Sequence, residues 1–245
     1  MSEPERFFFV HLQKTGGTAL FQRLRKSFGA EVVYPTLEDQ GNVAAVIDVD
    51  HLINQFRVHG NDFRVITGHF PLCTTEVLEV PFTTFTVLRD PVERTLSLLR
   101  RRQASDARFR GRDLLHIYAD DDLRIIIDNH MVKMLSLTVN ELGRTPLTQS
   151  VTFDEERLER AKRNLVGIDV VGLQEQFDTF CENLESRFGW NLGLPRFANR
   201  TPSVPVPDEL RERIMADNHA DVALYRFAVG LINERGSGPA VATDE

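Results

Sequence analysis

Residues Phe7 to Gly29 read FFFVHLQKTGGTALFQRLRKSFG and leave few structural options. Phe7 to Val10 form the unbroken apolar run of a strand covered on both faces. Gln13 to Thr18 carry two adjacent glycines and read as a turn. Leu20, Phe21, Leu24 and Phe28 then recur at helical spacing, and Gly29 stands where a helix C-terminus favours left-handed backbone. A strand, a glycine-bearing loop and a helix N-terminus in that order make an anion site. Loop amides point at the ligand and the helix dipole favours negative charge there. Lys14 adds a mobile cation. The order Lys14-Thr15-Gly16-Gly17-Thr18 departs from GxxxxGK[ST], in which lysine follows the second glycine. The cradle is therefore shorter and its cation sits at the entrance.

Thr84 to Leu88 form another strand, which runs into Arg89-Asp90-Pro91. Asp90 suits an N-cap and Pro91 the first helical position. Within the run RDPxxRxxS, Arg94 and Ser97 stand three apart on one helix face. A guanidinium and a hydroxyl near a helix start suit a second phosphate. Further strands are expected at Glu31–Tyr34, Phe63–Thr67 and Ile168–Gly172. Helices are expected from Asp48 or Asp50 through Phe56, from Pro91 to about Gln103, and as one continuous element from Asp120 to Leu137. A helix through Leu165 is expected behind a Thr152/Glu155 capping box. Three more follow at Glu175–Phe188, Asp208–Asp217 and Asp221–Asn233. Residues 194–207 contain four prolines and read as loop.

Alternating strands and helices predict an α/β three-layer sandwich with a mostly parallel central sheet. Ligands of such sheets sit at the carboxyl ends of the strands. Lys14, His69 and Arg89 each follow a strand, so parallel strands would bring all three to one edge. With no repeat or linker in view, residues 1–235 read as a single domain and 236–245 as a disordered tail.

Composition narrows the function. A formal charge of −7 over 245 residues argues against a general nucleic-acid binder. No apolar run reaches the ~20 residues of a membrane span. The start of the chain lacks the pattern of a signal peptide. Cys73 and Cys181 form no paired motif, and no metal-ligand cluster is evident. A reducing, cytoplasmic setting fits these features.

Taken together, His11-Leu12-Gln13-Lys14-Thr15-Gly16-Gly17-Thr18 and Leu88-Arg89-Asp90-Pro91-Val92-Glu93-Arg94 with Ser97 resemble the 5′-phosphosulfate loop and the 3′-phosphate motif of one enzyme family. These are the sulfotransferases that use 3′-phosphoadenosine 5′-phosphosulfate (PAPS), and the similarity is greatest to the heparan sulfate 2-O-/6-O-sulfotransferase branch and its bacterial relatives. Thr67-Gly68-His69-Phe70 resembles that branch's Gly-His segment. Weaker similarity is carried by Asn129 to Leu135, Asn199-Arg200-Thr201 and Leu224 to Ala228.

The resemblance implies the P-loop-NTPase-like sulfotransferase fold and transfer of a sulfuryl group to an acceptor hydroxyl on a glycan or glycolipid, without a metal. It implies His69 as general base and Lys14 as stabiliser of the leaving phosphate oxygen. Thr15, Gly16, Gly17, Thr18 and Ala19 would cradle the 5′-phosphate, and Arg89, Ser97 and Arg200 would hold the 3′-phosphate. Two other readings of the residues stay open. One is a Mg²⁺-dependent P-loop kinase with Asp90 as metal ligand, and the other is a nucleotide-binding module without catalysis. The arginine-dense stretch Arg100–Arg112 suggests an anionic acceptor, or simply a solvated surface.

Overall fold

The computed structural model describes residues 5–193 and 206–236. In chain order the elements are β1 (Phe7–Val10), α1 (Gly17–Phe28), β2 (Val33–Tyr34), α2 (Ala44–Ile47), α3 (Val49–His59), β3 (Val65–Ile66), α4 (Thr74–Val77), β4 (Thr83–Leu88), α5 (Pro91–Ser105), α6 (Leu114–Tyr118), α7 (Asp121–Ile127), α8 (His130–Ser136), α9 (Glu155–Gly167), β5 (Val170–Leu173), α10 (Phe177–Phe188), α11 (Asp208–Asp217) and α12 (His219–Gly236). The five strands form one sheet in the order β2-β3-β1-β4-β5. Every neighbouring pair is parallel.

The FFFV run explains why β1 lies centrally. Its side chains alternate between two apolar layers, as strand geometry requires. Phe7 and Phe9 join Leu20 and Leu24 of α1 and Phe180, Cys181 and Leu184 of α10 on one face. Phe8 and Val10 join Met131, Leu135, Ala161, Leu165 and Leu224 on the other. A third cluster unites Leu96 and Leu99 of α5 with Ile117, Ile127, Leu210 and Ile214 beside the sheet. The three-layer α/β architecture expected from the sequence is the one observed. β1 is flanked by β3 and β4, so three strand ends meet at one edge.

Several local expectations are corrected. The single helix expected over Asp120–Leu137 is two, α7 and α8. Asn129 between them takes a left-handed backbone, φ 40°. The break is held in place by long-range bonds. Asn129 N–H donates to Asn218 Oδ1 (2.9 Å), and Asn129 Oδ1 accepts the Asp221 N–H (3.0 Å). Asp221 in turn accepts the N–H groups of Met131 and Val132 at 3.1 and 2.8 Å. The two side chains thus cap each other's helices, satisfying amides that an uninterrupted helix would have paired internally. The cap of α9 is Asp154, which accepts the Arg157 amide at 2.8 Å, and not the expected Thr152. β2, β3 and β5 are shorter than their apolar runs. The short helices α2, α4 and α6 lie in stretches with no helical periodicity to announce them. α12 continues to Gly236, the residue at which the tail was expected to begin. Arg200, its Asn199-Arg200-Thr201 segment and the tail after Gly236 lie outside the described residues. Among the described residues, no helix is long and apolar enough to cross a membrane.

Candidate active site

The turn after β1 supplies the first part of the site. Lys14 (φ 67°) and Gly16 (φ 94°) both have left-handed backbone, with Thr15 between them. Such alternation turns successive amides to one side and forms an anion-binding nest. Gly16 is the N-cap of α1 and offers no side-chain cap, and the first turn holds no acidic residue. The first amide with a main-chain acceptor is that of Ala19, bonded to the Gly16 carbonyl at 3.0 Å. The N–H groups of Thr15 to Thr18 have no main-chain acceptor among the described residues and are open to a ligand. The Thr15 hydroxyl is turned inward and donates to the Leu12 carbonyl at 2.9 Å. Thr15 therefore offers its amide, while its side chain braces the loop. Thr18 is exposed and Ala19 half-buried.

Lys14 is half-buried, and its ammonium makes no hydrogen bond or ion pair with the described residues. Burial lowers its pKa, and the Arg101 and Arg89 guanidiniums lower it further. An ammonium held among cations without a carboxylate partner is a site prepared for an anion.

Arg89 follows β4 and reaches across to the first loop. Its Nη1 donates to the Lys14 carbonyl at 3.0 Å. Its Nε is buried with no partner among the described residues. One edge of the guanidinium thus ties the loops together, and the rest remains to be satisfied. Asp90 caps α5 by accepting the Glu93 amide at 3.0 Å, with Pro91 following as expected. Ser97, two turns into α5, is half-buried, and its hydroxyl makes no hydrogen bond among the described residues. Arg94 corrects the sequence reading. It is fully buried and its Nη2 donates to the Ile127 carbonyl at 2.7 Å. It anchors α5 to α7 and does not share a phosphate face with Ser97.

The Gly68-His69 segment leaves β3 beside β1. The Nδ1–H of His69 donates to the His11 carbonyl at 2.9 Å, and the His69 amide donates to Val46 O at 2.7 Å. A carbonyl only accepts, so Nδ1 carries the proton and Nε2 keeps its lone pair. Burial holds the His69 pKa below its ordinary value. The bond to His11 opposes that shift and Lys14 adds to it. The imidazole is therefore neutral at neutral pH, the state a base requires.

Two histidines outside the candidate set also belong to this region. His11 is the first residue past β1. Its ring lies 4.5 Å from that of His69, centroid to centroid, and stacks on Phe9 at 5.1 Å. A β-carbon at Gly17 would overlap its Nε2, so the second glycine of the loop is the one that admits this ring. His130, the first residue of α8, is fully buried, and its Nε2 accepts the Gln13 amide at 3.0 Å. The position of His11 beside the lysine loop was a usable signal. His130 lies in the Asn129–Leu135 segment of weaker similarity, but its contact with the lysine loop could not be read there, because its partner is 117 residues away.

Among the described residues, no group of His, Cys, Asp or Glu is arranged to hold a metal. No protein-family model and no curated protein matches the chain. Among solved structures, the fold is similar to the crystal structure of a sulfotransferase from Alicyclobacillus acidocaldarius, with a TM-score of 0.52 and 18% identity over 95% of this chain and 97% of that one.

Proposed function

We propose that the chain is a PAPS-dependent sulfotransferase that moves a sulfuryl group to an acceptor hydroxyl, carried by a glycan or glycolipid. The observation behind this reading is the meeting, at one sheet edge, of a Lys14 ammonium without a partner among the described residues, a row of open amides and a His69 imidazole whose lone-pair nitrogen is fixed by its bond to His11. The similarity of the fold to a sulfotransferase supports it.

In this reading the amides of Thr15, Gly16, Gly17 and Thr18 bind the 5′-phosphate of the donor, and Ala19, whose own amide is bonded to Gly16, closes the turn beneath it. Lys14 neutralises charge that grows on the bridging oxygen as the sulfur–oxygen bond breaks. His69 Nε2 takes the proton of the acceptor hydroxyl while that oxygen bonds to sulfur, leaving 3′,5′-adenosine bisphosphate (PAP) and a sulfate ester. Arg89 and Ser97 bind the 3′-phosphate, the group that distinguishes PAPS from ATP. Arg200 remains part of the proposal on the strength of the resemblance alone.

The Asp90 carboxylate is turned back onto the Glu93 amide, which favours this reading over a kinase that needs Asp90 for Mg²⁺. Calorimetric titration with PAP and with ATP, each with and without Mg²⁺, tests the choice. Metal-independent binding of PAP is expected. Metal-dependent binding of ATP without binding of PAP would overturn it.

A further inference from the structure

We propose that His130 is the positioning residue of the Lys14 loop, holding it in a donor-binding shape by accepting the Gln13 amide; this rests on the donor reading above. The loop needs external restraint. Lys14 is a non-glycine residue with φ 67°, a backbone that L side chains adopt reluctantly. Three contacts from its own side of the sheet brace it: Thr15 Oγ1 to Leu12 O, Arg89 Nη1 to Lys14 O, and the ring of His11 under Gly17. The fourth comes from the helical layer, where His130 Nε2 meets Gln13 N at 3.0 Å, immediately before Lys14.

The chemistry at His130 favours a role for that one nitrogen. Nε2 accepts from an amide, so it carries a lone pair and the proton resides on Nδ1. Nδ1 is buried and has no partner among the described residues. A fully buried imidazole with an orphaned donor fills a core less well than leucine does. Its advantage over leucine is the acceptor it presents to Gln13. The surroundings keep that acceptor available: burial, Arg94 and Lys133 all hold His130 well below its ordinary pKa. The ring's origin is fixed in turn. Asn129, just before it, is bonded to Asn218 and Asp221 on the far side of the fold. Lys133, one turn later, donates to the carbonyls of Ile125, Leu147 and Gln149 at 2.8, 2.9 and 3.2 Å.

The test measures PAP affinity and thermal stability in the full chain for three substitutions. His130→Leu removes the acceptor. His130→Asn is polar but too short to reach Gln13. His130→Gln places an oxygen near the position of Nε2. Loss of one positioned contact is expected to weaken PAP binding about tenfold or more in the Leu and Asn variants, with His130→Gln within about threefold of the natural chain. The melting temperature should not follow that order, because His130→Leu also removes the orphaned Nδ1. PAP binding by the Leu and Asn variants within about twofold of the natural chain, or a Gln variant as weak as the Leu variant, would overturn the assignment. If the natural, folded chain itself fails to bind PAP, the donor reading falls first, before any substitution is compared.

Discussion

The Nδ1–H of His69 donates to the backbone carbonyl of His11 at 2.9 Å, so a residue leaving β3 is oriented by the one leaving β1. The proposed base is held by the same strand end that launches the lysine loop. Replacement of His69 by alanine is expected to lower turnover by ~10²–10⁴, the usual worth of a positioned general base. PAP affinity should change little. A transfer assay with radiolabelled PAPS and a panel of glycan, glycolipid and phenol acceptors, beside calorimetry with PAP, separates the two effects. Unchanged turnover would remove His69 as the base.

His69, His11 and His130 all have pKa values lowered chiefly by burial. Each works or packs as the neutral form, and each takes up a proton more readily when the chain unfolds. Their contribution to stability is therefore fully present above the ordinary histidine value of about 6.5 and is lost as pH falls through the lower, folded-state values. The melting temperature should decline as pH is lowered from 7 to 5. The acid limb of the kcat/KM profile should lie below pH 6.5 for the same reason. An acid limb above pH 7 would contradict a neutral, buried base.

Arg89 has two tasks in the proposed site, tying down the Lys14 carbonyl and offering its unpartnered Nε to an anion. Arg89→Ala should weaken PAP binding by ~1.5–3 kcal/mol, the range for hydrogen bonds to charged groups. Binding of adenosine 5′-phosphate, which lacks the 3′-phosphate, should suffer less. Equal losses for both nucleotides in calorimetry would argue that Arg89 only braces the loop.

Gly17 is the loop position with the least room. A β-carbon there would run into the His11 ring, which is itself confined by His69 and Phe9. Gly17→Ala is expected to lower stability by ~1–3 kcal/mol through overpacking. It should also disturb His69 through the His11 carbonyl. Chemical denaturation and an NMR titration of the His69 ring check both effects. Gly111→Ala, where a β-carbon would meet nothing within 4 Å, serves as a control for overpacking, although its positive φ carries its own backbone cost.

The fold was legible because apolar periodicity changes cleanly between strands and helices, and Lys14, His69 and Arg89 each follow a strand. What could not be read was the pairing of remote polar groups. Spacing put Arg94 on a face with Ser97, but it is the carbonyl of Ile127 that draws Arg94 inward. The Asp120–Leu137 stretch has the inner stripe of one helix, and its break at Asn129 is imposed by Asn218 and Asp221. His130 escaped notice for the same reason, since its partner Gln13 is remote in the chain. Thr15 matches a ligand pattern by position, and only the local turn reveals that its hydroxyl bonds to Leu12.

The reciprocal caps of Asn129 and Asp221 also bear on how the chain folds. The Lys14 loop directly precedes α1, yet His130, proposed to anchor that loop from the helical layer, is seated through Asp221 of α12, 92 residues beyond Asn129. A chain cut before α12 would keep the sequence of β1 and α1 but lack the clasp that closes behind them. Donor affinity would then report on whether α12 had docked, because the proposed cradle depends on a contact of high sequence separation.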